Sequence, residues 1–180
     1  MSSSSNDTIR LKEKIITFGK KKPLIKILYV EPGVDEKEAS RVLEKCTEGL
    51  DECCFSFTVV PNAFLGLECT EHTSYDIIII QASLPQINAV NFLNILRTVG
   101  AQTPVVLLVD LAIADEWIDI QDKDAKELGF TAILRKPFST NHLCNLIKSV
   151  IEDSEAAAHA KKESLDAISI IAAAATIDKN

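Results

Sequence analysis

Two sets of residues in this chain have side chains able to do chemistry. Cys53, Cys54, Cys69 and His72 lie close enough in sequence to be drawn as a metal site, but their spacing fits no standard zinc pattern. The five cysteines are odd in number, form no C-x-x-C pair and fall mostly within apolar patterns, so reduced thiols are the expected state. The second set stands at the ends of apolar runs. Glu31 follows Ile25 to Val30, Gln81 ends the run Asp76-Ile-Ile-Ile-Ile, Asp110 follows Pro104 to Val109, and Lys136 comes just after Thr131 to Leu134. In open parallel sheets ligand chemistry sits beyond the carboxyl ends of the strands. Glu31, Asp110 and Lys136 are therefore expected near one another on one rim, with Gln81 in the middle. An amide is neither an acid nor a nucleophile.

The elements that would hold these residues can be read from periodicity. Four consecutive isoleucines cannot be half exposed, because alternate side chains point to opposite faces, so they mark a strand buried on both sides. Strand one, Ile25 to Val30, and strand four, Pro104 to Val109, are equally apolar. Strand two, Phe55 to Val59, alternates, and strand five, Thr131 to Leu134, is short; both suit sheet edges. Helix one is expected from Asp35 to Glu48, with Ala39, Val42, Leu43 and Cys46 inward. Helix two, from Asn62 to His72, carries Phe64, Leu65 and Cys69. Helix three, from Asn88 to Val99, turns Phe92, Leu93, Leu96 and Val99 inward, with Gly100 as its stop. An acidic helix within Asp110 to Leu128 uses Trp117, Ile118, Ala125 and Leu128. A fifth helix, capped by Ser139 or Thr140, places Leu143, Leu146, Ile147, Val150 and Ile151 at i, i+3, i+4, i+7 and i+8. Alternating strands and helices require right-handed crossovers and a three-layer α/β sandwich. Three apolar and two edge strands give the flavodoxin-like order 2-1-3-4-5.

The sequence divides into a basic arm over residues 1–23, expected to be partly disordered, a domain over 24–152, and an Ala-rich helical tail over 153–180. The arm could hold a short helix with Leu11, Ile15 and Phe18 on one face before Lys20, Lys21 and Lys22. Acidic residues outnumber basic ones, 26 against 19, and the net charge of -7 argues against a general grip on nucleic acid. No apolar run reaches the roughly 18 to 20 residues that cross a bilayer, and the start has no signal-peptide core. The expectation is an intracellular protein, cytoplasmic or nuclear, with no membrane contact.

Taken together, the chain resembles a response-regulator receiver domain (CheY-like) over about residues 24–152. The resemblance rests on Lys136-Pro137-Phe138 after a short strand that begins near a glycine, and on an apolar strand followed by Leu84-Pro85 and a helix. The family implies two-component phosphorelay signalling: an aspartate ending strand three accepts a phosphoryl group from a histidine kinase, with magnesium held by acidic residues after strand one. It also implies a sensing lysine after strand five, a hydroxyl residue ending strand four and a cis peptide at Lys136-Pro137.

Carried onto this sequence, the acceptor position falls on Gln81. The acidic pair falls on Glu31 and Pro32, the metal-holding carbonyl on Ser83, the hydroxyl on Val109 and the aromatic switch on Ile133; only Lys136 matches. Asp76 opens strand three and lies roughly 16 Å from Gln81. The expected assignment is a pseudo-receiver with no catalytic residue, no enzyme activity and no cofactor, Mg2+ entering only if the pocket works. Glu31 and Asp110 are the candidates for a metal ligand or for a structural ion pair with Lys136. Expected partners are signalling proteins: a histidine kinase, a phosphotransfer protein or another regulator. A homodimer through helix four, strand five and helix five, or through the C-terminal helix, is open. Two rivals remain: an atypical phosphorelay receiver accepting phosphate at Asp110, and a DNA-associated regulator using the basic arm.

Overall fold

The computed structural model describes residues 24–47, 54–113 and 116–177. The basic arm, Cys53 and the last three residues lie outside that set, as do the side chains of Val42, Cys46 and residues 166–177. Five strands, β1 (Leu24–Val30), β2 (Cys54–Val60), β3 (Ile77–Gln81), β4 (Val105–Asp110) and β5 (Ala132–Lys136), form one parallel sheet in the order β2-β1-β3-β4-β5. Five helices alternate with them: α1 (Glu36–Thr47), α2 (Ala63–His72), α3 (Ala89–Thr98), α4 (Asp122–Glu127) and α5 (Thr140–Ile177). This is the order expected from three apolar strands flanked by two weaker ones.

The pleat divides the core in two. Ile77 and Ile79 join Ile25, Ile27, Tyr29, Val106, Leu108 and Leu134 on the face covered by α1 and α5 through Leu43, Leu143, Ile147 and Val150. Ile78 and Ile80 join Leu28, Val30, Leu107 and Val109 on the opposite face, packed by Ala63, Phe92, Leu93, Leu96 and Ala125. All four isoleucines are buried to within 1% of complete. At about 25 cal/mol per Å2 of apolar surface, such residues dominate the stability of the sheet. Asp76 serves the same sheet at its other end: its carboxylate accepts from the Lys26 amide at 2.7 Å while its own amide donates to the Lys26 carbonyl at 2.9 Å.

Several expected contacts differ. Phe64 and Leu65 are 55% and 40% exposed, and α2 instead faces the core through Ala63 and Gly66. A Cβ at Gly66 would stand 3.1 Å from both Phe92 and Val30, so the helix approaches too closely for large residues on that face. Val99 is exposed because it caps α3 rather than continuing it, and Leu128 is exposed beyond the one-and-a-half turns of α4. Gly100 and Gly129 take positive φ after these helices, as chain reversal requires. β4 and β5 run longer than their apolar cores suggest, so Asp110 and Lys136 are terminal strand residues rather than loop residues. The Ala-rich stretch continues α5 without a break to Ile177. Among the described residues no helix is long and apolar enough to cross a membrane.

Candidate functional site

Strand register sets the rim. Val30 pairs with Ile80, Gln81 with Leu108, and Asp110 with Lys136, so the last residues of β1, β3, β4 and β5 emerge on one edge. β1 and β5 are separated by two strands, roughly 14 Å at ordinary strand spacing. The long side chain of Lys136 reaches back across that gap and donates from Nζ to Glu31 Oε1. Glu31 Oε2 accepts from the Tyr29 hydroxyl at 2.6 Å. Both carboxylate oxygens are thus engaged in a residue only 6% exposed. The lysine side chain remains about a quarter exposed, and its charge matches that of the carboxylate, as a buried anion demands.

Tyr29 is a site residue that the sequence pattern does not mark. The available signal is positional: its hydroxyl lies in an otherwise apolar stretch of β1, two residues before Glu31 and so on the same face of the strand. Burial pushes its hydroxyl far above the usual phenol range, and the hydrogen bond to Glu31 and the negative charges of Glu31 and Asp110 push it further. Tyr29, Glu31, Leu43, Lys136 and Phe138 line a cleft of about 330 Å3 between β1, α1 and the start of α5.

Of the remaining expected site residues, Gln81 is buried at 6% exposure. Lys136 pairs with Glu31 and not with the alternative Asp110, whose Oδ1 accepts from the Ala112 amide at 2.9 Å where the chain turns out of β4. Pro32 sits in the turn after β1, and Ser83 in the loop after β3. Val109 and Ile133 are buried in the same apolar cluster. The Lys136-Pro137 peptide is cis. Of the Cys/His set, Cys53 lies outside the described residues, and among the described residues no three His, Cys, Asp or Glu side chains are grouped to hold a metal ion. Cys54, Cys69 and Cys144 form no disulfide among the described residues.

No family model matches the chain. It is 28% identical over 127 residues to the transcriptional regulatory protein CusR of Escherichia coli (strain K12), covering 71% of this chain and 51% of that protein. The uncharacterized transcriptional regulatory protein YkoG of Bacillus subtilis (strain 168) is 28% identical over 129 residues, with the same coverage. The chain thus spans about half the length of the curated relatives it matches. Among solved structures, the receiver domain of the Francisella response regulator 1452 matches with a TM-score of 0.55 at 22% identity, covering 72% of this chain and 98% of that one. The receiver domain of the sensor histidine kinase PA1611 from Pseudomonas aeruginosa PAO1, with a magnesium ion in its active site cleft, matches with a TM-score of 0.52 at 20% identity, over 71% of this chain and 98% of that one. Strand order and the solved structures agree on the fold: the chain has the five-stranded parallel architecture seen in receiver domains, and its sequence is similar to those of transcriptional regulatory proteins.

Proposed function

We propose that this receiver domain is a pseudo-receiver: a two-component signalling module that takes up no phosphate and acts by binding other signalling proteins. The observation that carries the reading is the rim itself. At the end of β3, where an acceptor needs a carboxylate, stands the buried amide of Gln81, and the neighbouring Glu31 is held between Lys136 and Tyr29. A divalent cation with oxygen ligands needs several of them converging. Here one carboxylate is already paired, the next residue is proline and the third position is an amide, so the donor set does not fit magnesium. Val109 and Ile133 supply neither a hydroxyl nor a movable aromatic ring. With no phosphate to bias two states, regulation falls to partner binding and to the segments flanking the domain. The partners this reading favours are a histidine kinase, a phosphotransfer protein or another regulator, docking on α4, β5 and the first turns of α5.

Incubation of the full chain with acetyl phosphate and magnesium, followed by intact-mass analysis, tests this. The expected spectrum is that of the unmodified chain. A stoichiometric, hydroxylamine-labile phosphoryl adduct overturns the reading, and its loss in Asp110→Asn would assign the acceptor to β4. A second reading is favoured by the relatives, which are named as transcriptional regulators. In it the basic arm from Arg10 to Lys26 contacts DNA. Salt-sensitive binding to duplex DNA that disappears on deleting residues 1–23 would support it.

A further inference from the structure

The segment between β4 and α4 holds the chain's single tryptophan. Trp117 and Ile120 are half-buried against the Ile78–Ile80 face of the core, and with Glu116, Asp119 and Asp124 they line a cleft of about 450 Å3. The cleft therefore has an apolar floor and an acidic border. Asp124 Oδ2 accepts from the Gln121 amide at 3.3 Å. The exposed carboxylates of Glu116 and Asp119 have no partner among the described residues. We propose that this cleft is the docking site of the chain's own basic arm, with Arg10, Lys12 and Lys14 on the acidic border and Leu11 and Ile15 on the floor.

Charge selects the occupant. Residues 1–23 carry six basic side chains, Arg10, Lys12, Lys14, Lys20, Lys21 and Lys22, against two acidic ones, Asp7 and Glu13, a net of +4. Residues 24–180 hold the other 13 basic and 24 acidic side chains, a net of -11. Around the cleft, Lys123 pairs with Glu127 and Arg135 with Asp122, which leaves Glu116, Asp119 and Asp124 against Lys126 alone in the stretch from Glu116 to Glu127. An indole face also attracts a lysine or guanidinium. Covering the floor with Leu11 and Ile15 removes apolar surface from water on both sides. Glu13 is the one opposing charge in the docked stretch. Reach is sufficient: the arm joins β1 at Leu24, ten residues after Lys14, and ten residues span up to about 33 Å. β1 and β4 are two strands apart, roughly 10 Å, and a helix layer adds about as much again. Tethering holds the arm at an effective concentration on the order of millimolar, which a separate partner must overcome. The docking stands whether or not the strand-end rim accepts phosphate.

Acrylamide quenching of Trp117 fluorescence in the full chain tests the proposal, because a single tryptophan reports on the cleft alone. At low salt the parent is expected to be shielded, and Arg10→Glu/Lys12→Glu/Lys14→Glu to raise the quenching constant about twofold or more as the ring face is uncovered. Salt at about 1 M, which screens charges beyond roughly 3 Å, should bring the parent to the level of that variant. Glu116→Lys/Asp119→Lys with the parent arm should lose the shielding too, and combining it with the reversed arm should restore it. The shielding of the parent should be the same at every protein concentration, as a contact within one chain requires. Equal quenching in the parent and the reversed-arm variant overturns the proposal and leaves the arm to a partner outside the chain. Shielding that grows with protein concentration also overturns it, because the arm would then be seated on a second copy.

Discussion

Ile80 and Gln81 are neighbours on β3, yet they belong to different regions of the molecule. Ile80 is completely buried in the sheet interior, where every neighbour is apolar and packing alone decides what fits. Gln81 is nearly as buried, but on the rim with Glu31, Lys136 and Asp110, where polar groups must be matched one by one. The interior has the strand order of the receiver fold, while the rim holds Glu31 between Lys136 and Tyr29. Fold and site chemistry vary independently here: packing fixes the first, and a few strand-end residues fix the second.

Substitutions in the two regions should differ in size and in kind. Phe92→Ala empties a completely buried ring position between α2, α3 and the sheet, and is expected to cost about 3–5 kcal/mol in urea unfolding. A loss below 1 kcal/mol would mean that the interior is not close-packed. Lys136→Met leaves Glu31 buried without its cation. The expected cost is about 2–3 kcal/mol, below that of a fully buried pair because the lysine is partly exposed. Adding Glu31→Gln should recover most of it, and failure to recover would show that the pair is not the origin of the loss.

Tyr29→Phe removes one hydrogen bond to a charged acceptor and should cost about 1–2 kcal/mol near neutral pH. Its pH dependence is more informative. The hydroxyl is raised in the folded state above its ordinary value of 10.0, so the unfolded chain loses that proton first as pH rises. The stability contributed by the protonated phenol is complete below pH 10 and declines above it, so Tyr29→Phe should flatten the alkaline limb of the stability profile. Parallel alkaline limbs in parent and variant would contradict the buried hydrogen bond. At the small end, Lys123→Ala breaks an exposed pair with Glu127 at 3.7 Å on α4 and should change stability by less than about 0.5 kcal/mol in the same assay.

Legibility followed the same division. The interior could be read because a both-faces-buried strand leaves an unbroken β-branched run, and three such runs bracketed by two weaker ones fix the strand order. Amphipathic periodicity also located α5 through Leu143, Ile147 and Val150. It failed at α2, where Gly66 and not Phe64 faces the core, since close approach selects small residues and leaves no hydrophobic stripe to find. On the rim, Gln81 and Lys136 stood out by type, but the choice between Glu31 and Asp110 as partner of Lys136 depends on side-chain reach across two intervening strands. Tyr29 escaped because a tyrosine in an apolar strand looks like core until its hydroxyl is given a partner.

The central claim concerns the rim, and amide NMR of the full chain titrated with magnesium and then beryllium fluoride, a phosphoryl mimic, addresses it residue by residue. The account predicts no saturable shift at Glu31, Gln81, Asp110 or Lys136. Saturable, coupled shifts at these four positions would contradict it, because they would mean that the Glu31–Lys136 pair opens to admit a metal and a phosphate.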